Sequence, residues 1–193
     1  MNKINYFTKE ISYIKDKKRR TDIRILINLL PEYFFEIKAS STGKYHPKFA
    51  GDKMGLLKHT KVAVRIAYEL LNNKTTGSKF TEKDKDLIIM ALILHDGLKL
   101  GLEKEKYTKI DHPLLISKYI QENADMISME IDDIRKMCSM IESHMGEWNY
   151  DYITKKEVLP KPRTKEQQFV HMCDFLASRK FIDVEFNDIN IKY

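Results

Sequence analysis

The sequence predicts an all-α, single-domain helical bundle, and three observations lead there. Glycine and proline are scarce, at 7 and 5 in 193 residues, too few for the turns of a loop-rich or β-rich chain. Apolar residues recur at helical spacing inside Lys- and Glu-rich segments. Two segments open on capping boxes, Thr81 with Asp84 and Thr164 with Gln167, which mark helix starts. The chain is long enough to bury a real core, and no repeat or low-complexity linker marks a domain boundary.

Taken in order, the first expected helix covers 23–35 and is kinked at Pro31. Residues 1–38 read as a helical segment packed on the core, 39–183 as the main body and 184–193 as a tail, all within one structural domain. The polar stretch 39–47 is a loop. A helix over 55–71 places Leu56, His59, Ala63, Ile66 and Leu70 on one stripe. The helix started by Thr81 carries Ile88, Ala91, Leu92 and His95 at the same spacing. Pro113 suits the first turn of a helix running toward Asn123. A helix over 131–145 aligns Ile134, Met137, Ile141 and His144. Residues 146–163, with Pro160 and Pro162, form a long loop. The last strong helix puts Val170, Asp174, Ala177 and Phe181 on one face. Beyond Asp183, the alternation of Val184, Phe186 and Ile189 predicts a short strand or an extended tail.

Hydrophobic residues make up 42% and charged residues 32%, an ordinary globular balance. The net charge of +6 and pI of about 9.1 favour anionic partners, nucleotides or nucleic acid. The densest basic cluster, Lys15 to Arg20, reads as a solvated helix face, with a nucleic-acid contact as the alternative. Cys138 and Cys173 lie in apolar helical stretches and are expected to be reduced core residues. No apolar leader follows Met1, and no stretch approaches the ~18 uninterrupted apolar residues of a membrane span, so a cytoplasmic protein is expected.

His59, His95, His144 and Asp174 each fall on the inward stripe of a different predicted helix. A single histidine there is an ordinary hydrogen-bonded core residue. Burying four ionisable groups is costly unless something satisfies them together. A divalent metal does so, drawing imidazoles and carboxylates from facing helices.

The order His59, then His95-Asp96, then Asp174 resembles the defining pattern of the HD superfamily of all-helical, metal-dependent phosphohydrolases. Gly55-Leu56-Leu57-Lys58-His59-Thr60 is similar to the first-histidine segment in bacterial 3′-to-5′ exoribonucleases of the YhaM type. Ser143-His144-Met145-Gly146-Glu147, Leu159-Pro160-Lys161-Pro162 and the segment from His171 to Lys180 resemble later parts of that domain. The chain also resembles small single-domain HD proteins common in bacteriophage genomes, which share a Ser-Thr-Gly-Lys-Tyr-His-Pro segment like Ser41 to Pro47. The resemblance spans roughly residues 39–181.

The resemblance implies an HD-type bundle around a metal centre, with main body 39–183 as the HD domain. It implies a first metal held by His59, His95, Asp96 and Asp174. His112 and His144 match two further histidines that recruit a second metal, with Asp96 bridging; His112 as a capping or surface residue is the alternative. HD proteins commonly follow the HD pair with an apolar residue, Gly and Lys. Here Gly97-Leu98-Lys99 keeps the lysine and exchanges the two residues before it. Lys99 is therefore either a cation for the substrate phosphate or a solvent-facing side chain.

In such a centre, metals generate hydroxide near neutral pH and Asp96 positions it by coordination. Mn²⁺, Fe²⁺, Mg²⁺ and Zn²⁺ all suit N/O ligands, and the histidines favour a transition metal. Lys44 and His46, on the loop before the first-histidine helix, are candidate phosphate contacts, although Ser41-Thr42-Gly43-Lys44 lacks the spacing of a P-loop. Arg179 and Lys180 are candidate phosphate contacts that equally suit a helix C-terminus. His171, one turn before Asp174, is expected to support the ligands without coordinating. Tyr45, Trp148 and Tyr150 suit either base stacking or packing. The expected activity is hydrolysis of a nucleotide phosphoester. The alternatives are a 3′-to-5′ exonuclease on single-stranded RNA or DNA, and a non-catalytic scaffold binding a nucleotide or a protein.

Overall fold

The computed structural model describes residues 2–40, 46–182 and 184–192. The chain opens with a 3-10 turn, Lys3–Phe7, and the short helix α1, Thr8–Ser12. Helix α2, Lys17–Leu29, starts where the Asp16 carboxylate accepts the Arg19 amide, and a 3-10 turn, Glu32–Phe35, follows Pro31. The expected helix over 23–35 is thus in fact α2, shifted toward the N-terminus, plus a separate turn. Proline at 31 cannot supply the amide that a continuous helix needs there. The segment that the periodicity left unread, Lys3–Ser12, is helical because Phe7, Ile11 and Ile14 insert into the core.

Helix α3, Gly55–Asn72, is followed by α4, Lys74–Gly77, and then α5, Glu82–Leu94, whose Thr81–Asp84 capping box is present in full. Every residue from Leu87 to Leu94 is buried, so α5 is apolar all round, as a central helix must be. It packs against α2, α3, the later α7 (Ile131–Glu142) and α8 (Lys165–Ala177). Helix α6, His112–Glu122, lies against α7, and the Thr164–Gln167 capping box opens α8. The tail forms a hairpin of β1, Phe186–Asn187, and β2, Asn190–Ile191, with Phe186 opposite Ile191. The architecture is an all-α, single-domain bundle whose N-terminal residues share one core with the rest.

Buried charges tie the N-terminal segment down. The Lys61 ammonium on α3 lies 2.8 Å from Glu10 Oε2 and donates to the Tyr6 carbonyl at 2.6 Å. Asp22 accepts the amide and hydroxyl of Ser128. Arg19 lies between Asp86 and Asp133, half-buried, so the cluster 15–20 is not simply a solvated face. Both cysteines are free and buried, and burial pushes the Cys138 thiol up to about 11. Among the described residues, no helix is long and apolar enough to cross a membrane.

Candidate metal centre

Two of the site histidines stand where helices end. His95 is the residue just past α5, and His144 lies two residues past the end of α7. The sequence periodicity placed both inside helices, but each helix stops short. The reason is local. The last carbonyls of a helix lack their regular amide partners, and here imidazoles bond them, at Ile141 alongside the His144 amide. His95 Nδ1–H donates to Leu92 O at 2.7 Å, and His144 Nδ1–H donates to Ile141 O at 2.8 Å. His112, the first residue of α6, repeats the spacing by donating Nδ1–H to Lys109 O at 2.6 Å. When neutral, all three rings therefore carry their lone pair on Nε2.

Those Nε2 atoms converge on two carboxylates. His112 Nε2 is 2.9 Å from Asp96 Oδ1, and His144 Nε2 is 3.9 Å from the same oxygen. His95 Nε2 lies 3.3 Å from Asp174 Oδ1 and 3.6 Å from Asp96 Oδ2. His59, on α3, faces Asp174 on α8 across the closely packed α3–α8 interface, with Nε2 to Oδ1 at 2.8 Å. Asp96 thus presents Oδ1 toward His112 and His144, and Oδ2 toward His95 and Lys99.

His95 Nε2, Asp96 Oδ1 and His112 Nε2 are buried without a hydrogen-bond partner among the described residues, because even the 2.9 Å approach is not aligned as one. A buried polar atom left unsatisfied is costly. Lone pairs facing carboxylate oxygens are satisfied by positive charge between them, either protons or a divalent cation. Among the described residues, two groupings have the compactness a metal needs: His59, His95 and Asp174, and His95, Asp96 and His144. The residues present therefore fit a metal.

The electrostatics follow. Burial would raise the Asp96 pKa, but Lys99, His95 and His112 outweigh it and hold the carboxyl well below its usual range. Burial is likewise outweighed at Asp174, here by His59 and His95. His95 is raised because the two carboxylates outweigh its desolvation. His144 is pushed down to about 3 by burial and then by His95. His46 falls to about 4 through burial, His59 and Lys99, so it is neutral at pH 7.

The centre forms the floor of a cavity of about 400 Å³, within the usual small-ligand range of roughly 300–1,000 Å³. Lys99 is not solvent-facing. Its ammonium lies 2.6 Å from Asp96 Oδ2 at the cavity floor. The turn that brings it back uses Gly97, where a Cβ would lie 2.6 Å from Leu30 Cδ2 and 2.9 Å from Leu94 O. Glycine directly after the His95-Asp96 pair thus has a packing reason.

His46 and Arg179 line the cavity, whereas Lys180 is exposed and is not part of its lining. Helix α8 ends at Ala177, and the neighbouring Arg179 is the one that covers the Phe175 ring. His112 is buried against Asp96 and is neither a cap nor a surface residue. Lys44 and Tyr45 lie outside the described residues. His171 Nδ1–H donates to His144 O at 2.7 Å, supporting the turn that carries a candidate ligand. Sequence reasoning missed Phe175 and Ser178, which complete the cavity wall. Ser178 lies one helical turn beyond Asp174, a spacing that marks it for the same face.

Comparisons with protein-family models, with curated proteins and with solved structures give no match for this chain.

Proposed function

We propose that the chain is an HD-type, metal-dependent phosphohydrolase. The observation that carries this reading is the convergence of buried histidines on Asp96 and Asp174, with His95 Nε2, Asp96 Oδ1 and His112 Nε2 lacking hydrogen-bond partners among the described residues, beside a cavity that His59, Asp96, His144 and Asp174 line. His59, His95, Asp96 and Asp174 would hold one divalent cation, and Asp96, His112 and His144 a second. Bound there, such ions supply Lewis acidity and make hydroxide available near neutral pH.

The chain's own side chains do the rest. Lys99, half-buried beside Asp96, provides a preorganised ammonium for a phosphoryl oxygen as charge develops. Neutral His46, its ring 5.4 Å from that of His59 on the cavity lining, offers a hydrogen bond without adding charge. The Arg179 guanidinium on the cavity wall supplies a further cation for the substrate. The Nδ1 bonds to Leu92, Lys109 and Ile141 hold three rings in a single tautomer and orientation, as ligands require. A histidine-rich set favours Mn²⁺, Fe²⁺ or Zn²⁺ over Mg²⁺.

The test is phosphate release from phosphomonoester and phosphodiester substrates by the Mn²⁺-loaded protein, beside Asp96→Asn. Metal-stimulated release that the substitution abolishes is expected. Release that is insensitive to both metal and Asp96 would refute the reading.

A further inference from the structure

The cavity has two unlike sides. Its floor is the charged centre, while one wall is aromatic. Trp148 and Phe175 stand nearly parallel there, with ring planes 12° apart and centroids 5.7 Å apart. The Arg179 guanidinium lies over Phe175, 4.3 Å from its centroid, and beside Trp148, 5.9 Å from that ring's centroid. Arg179 is itself oriented by Ser178, whose Oγ accepts from Nε at 3.1 Å and from a terminal nitrogen at 2.7 Å.

Trp148 packs on Phe175 and near His171, yet it is 39% exposed and stands outside the hydrophobic core, so part of its ring remains open at the cavity. The turn beneath it is fixed all the same. The Trp148 amide donates to Met145 O, and the Asn149 amide group donates to Leu159 O. Gly146 adopts φ +61°, and His171 packs beneath it. The same turn carries His144, so the ring and a candidate ligand are held in register. A large, preorganised, partly exposed indole with a second ring and a guanidinium beside it is a surface on which an unpaired nucleobase stacks.

We propose that Trp148, Phe175 and Arg179 form a base-stacking subsite, so that the substrate is a phosphorylated nucleoside with an unpaired base. The proposal rests on the phosphohydrolase reading for the position of the phosphate, beside Lys99. The base comes from a free mononucleotide or from the end of a single strand. For a strand, the same segment goes on to expose Tyr150 and Tyr152, with Lys155 Nζ 3.9 Å from the Tyr152 centroid. Stacking accepts any base, because every base has a π-face.

The chain holds one tryptophan, so Trp148 reports stacking through its own fluorescence. The full-length protein is titrated with AMP, ribose 5-phosphate and a tetraadenylate. Saturable quenching by AMP, by the tetraadenylate or by both, and none by ribose 5-phosphate, is expected. Quenching at lower concentration by the tetraadenylate assigns the base to a strand end, and the reverse order assigns it to a mononucleotide. By calorimetry, Trp148→Ala should reduce the affinity for the tighter-binding of these adenylates relative to ribose 5-phosphate by roughly 5- to 150-fold. Trp148→Phe should recover most of that loss. No saturable quenching by either adenylate, equal quenching by the base-free sugar phosphate, or an unchanged affinity ratio would overturn the subsite. Quenching needs no turnover, so quenching without phosphate release sinks only the hydrolase reading. Release without quenching sinks only the subsite.

Discussion

Lys61→Met removes the ammonium that anchors the N-terminal segment to α3, two residues past His59. Lys61 is 1% exposed and Glu10 is 3% exposed, so the pair is out of water. At 2.8 Å and an effective dielectric of about 20, their attraction is about 6 kcal/mol. The desolvation of both charges offsets much of it. The single substitution leaves the Glu10 carboxylate buried opposite a methyl group and also removes the Lys61 hydrogen bond to the Tyr6 carbonyl. A loss of about 3–5 kcal/mol is expected for breaking such a pair from one side. Replacing both partners, as Glu10→Leu with Lys61→Met, should recover most of that loss, because an apolar pair suits the surrounding Phe7 contact. Urea denaturation followed by circular dichroism reads both variants. A single variant that loses less than about 1 kcal/mol, or a double variant as unstable as the single, would refute the reasoning.

Two further perturbations test the scaffold around the site. Burial works against ionised Asp84, but Lys136 and Thr81 outweigh it and lower its pKa. Its stabilising contribution is therefore present above the unfolded value of about 3.9 and is lost as pH falls through the depressed folded value. The difference in melting temperature between the wild type and Asp84→Asn should hold steady through neutral pH and shrink below about pH 4. A difference that grows on acidification contradicts the assignment. At Gly146, φ is +61° and a Cβ would lie 2.1 Å from His171 Cε1. Gly146→Ala should cost at least about 1–2 kcal/mol from backbone conformation alone, with displacement of His171 added. A urea midpoint equal to that of the wild type would show that the turn tolerates a side chain.

How far the sequence reveals the molecule depends on which force sets each feature. Capping boxes are local chemistry, so the starts of α5 and α8 were legible at Thr81 and Thr164. Of the stripe through Leu56, His59, Ala63, Ile66 and Leu70 on α3, the first three are buried as the periodicity predicts, and Ile66 and Leu70 are half-buried. Helix ends were less legible. His95 and His144 fit the apolar spacing of their helices, yet both lie beyond the last helical residue, because an imidazole bonding the carbonyl three residues back terminates the ladder. The N-terminal turns escaped the reading because their order comes from long-range burial of Phe7, Ile11 and Glu10. Within the site, the order of the histidines and acids in the chain marked those that converge. The aromatic wall was less legible, since Phe175 and Trp148 are 27 residues apart and meet only after α8 folds back on the turn past α7.

The most direct measurement is elemental metal content per chain, for the wild type and for His112→Ala, after growth in metal-replete medium. The account predicts about two divalent ions per wild-type chain, falling toward one in the variant. A wild-type chain that binds no divalent metal would contradict it, leaving the convergent histidines and carboxylates as a proton-neutralised core.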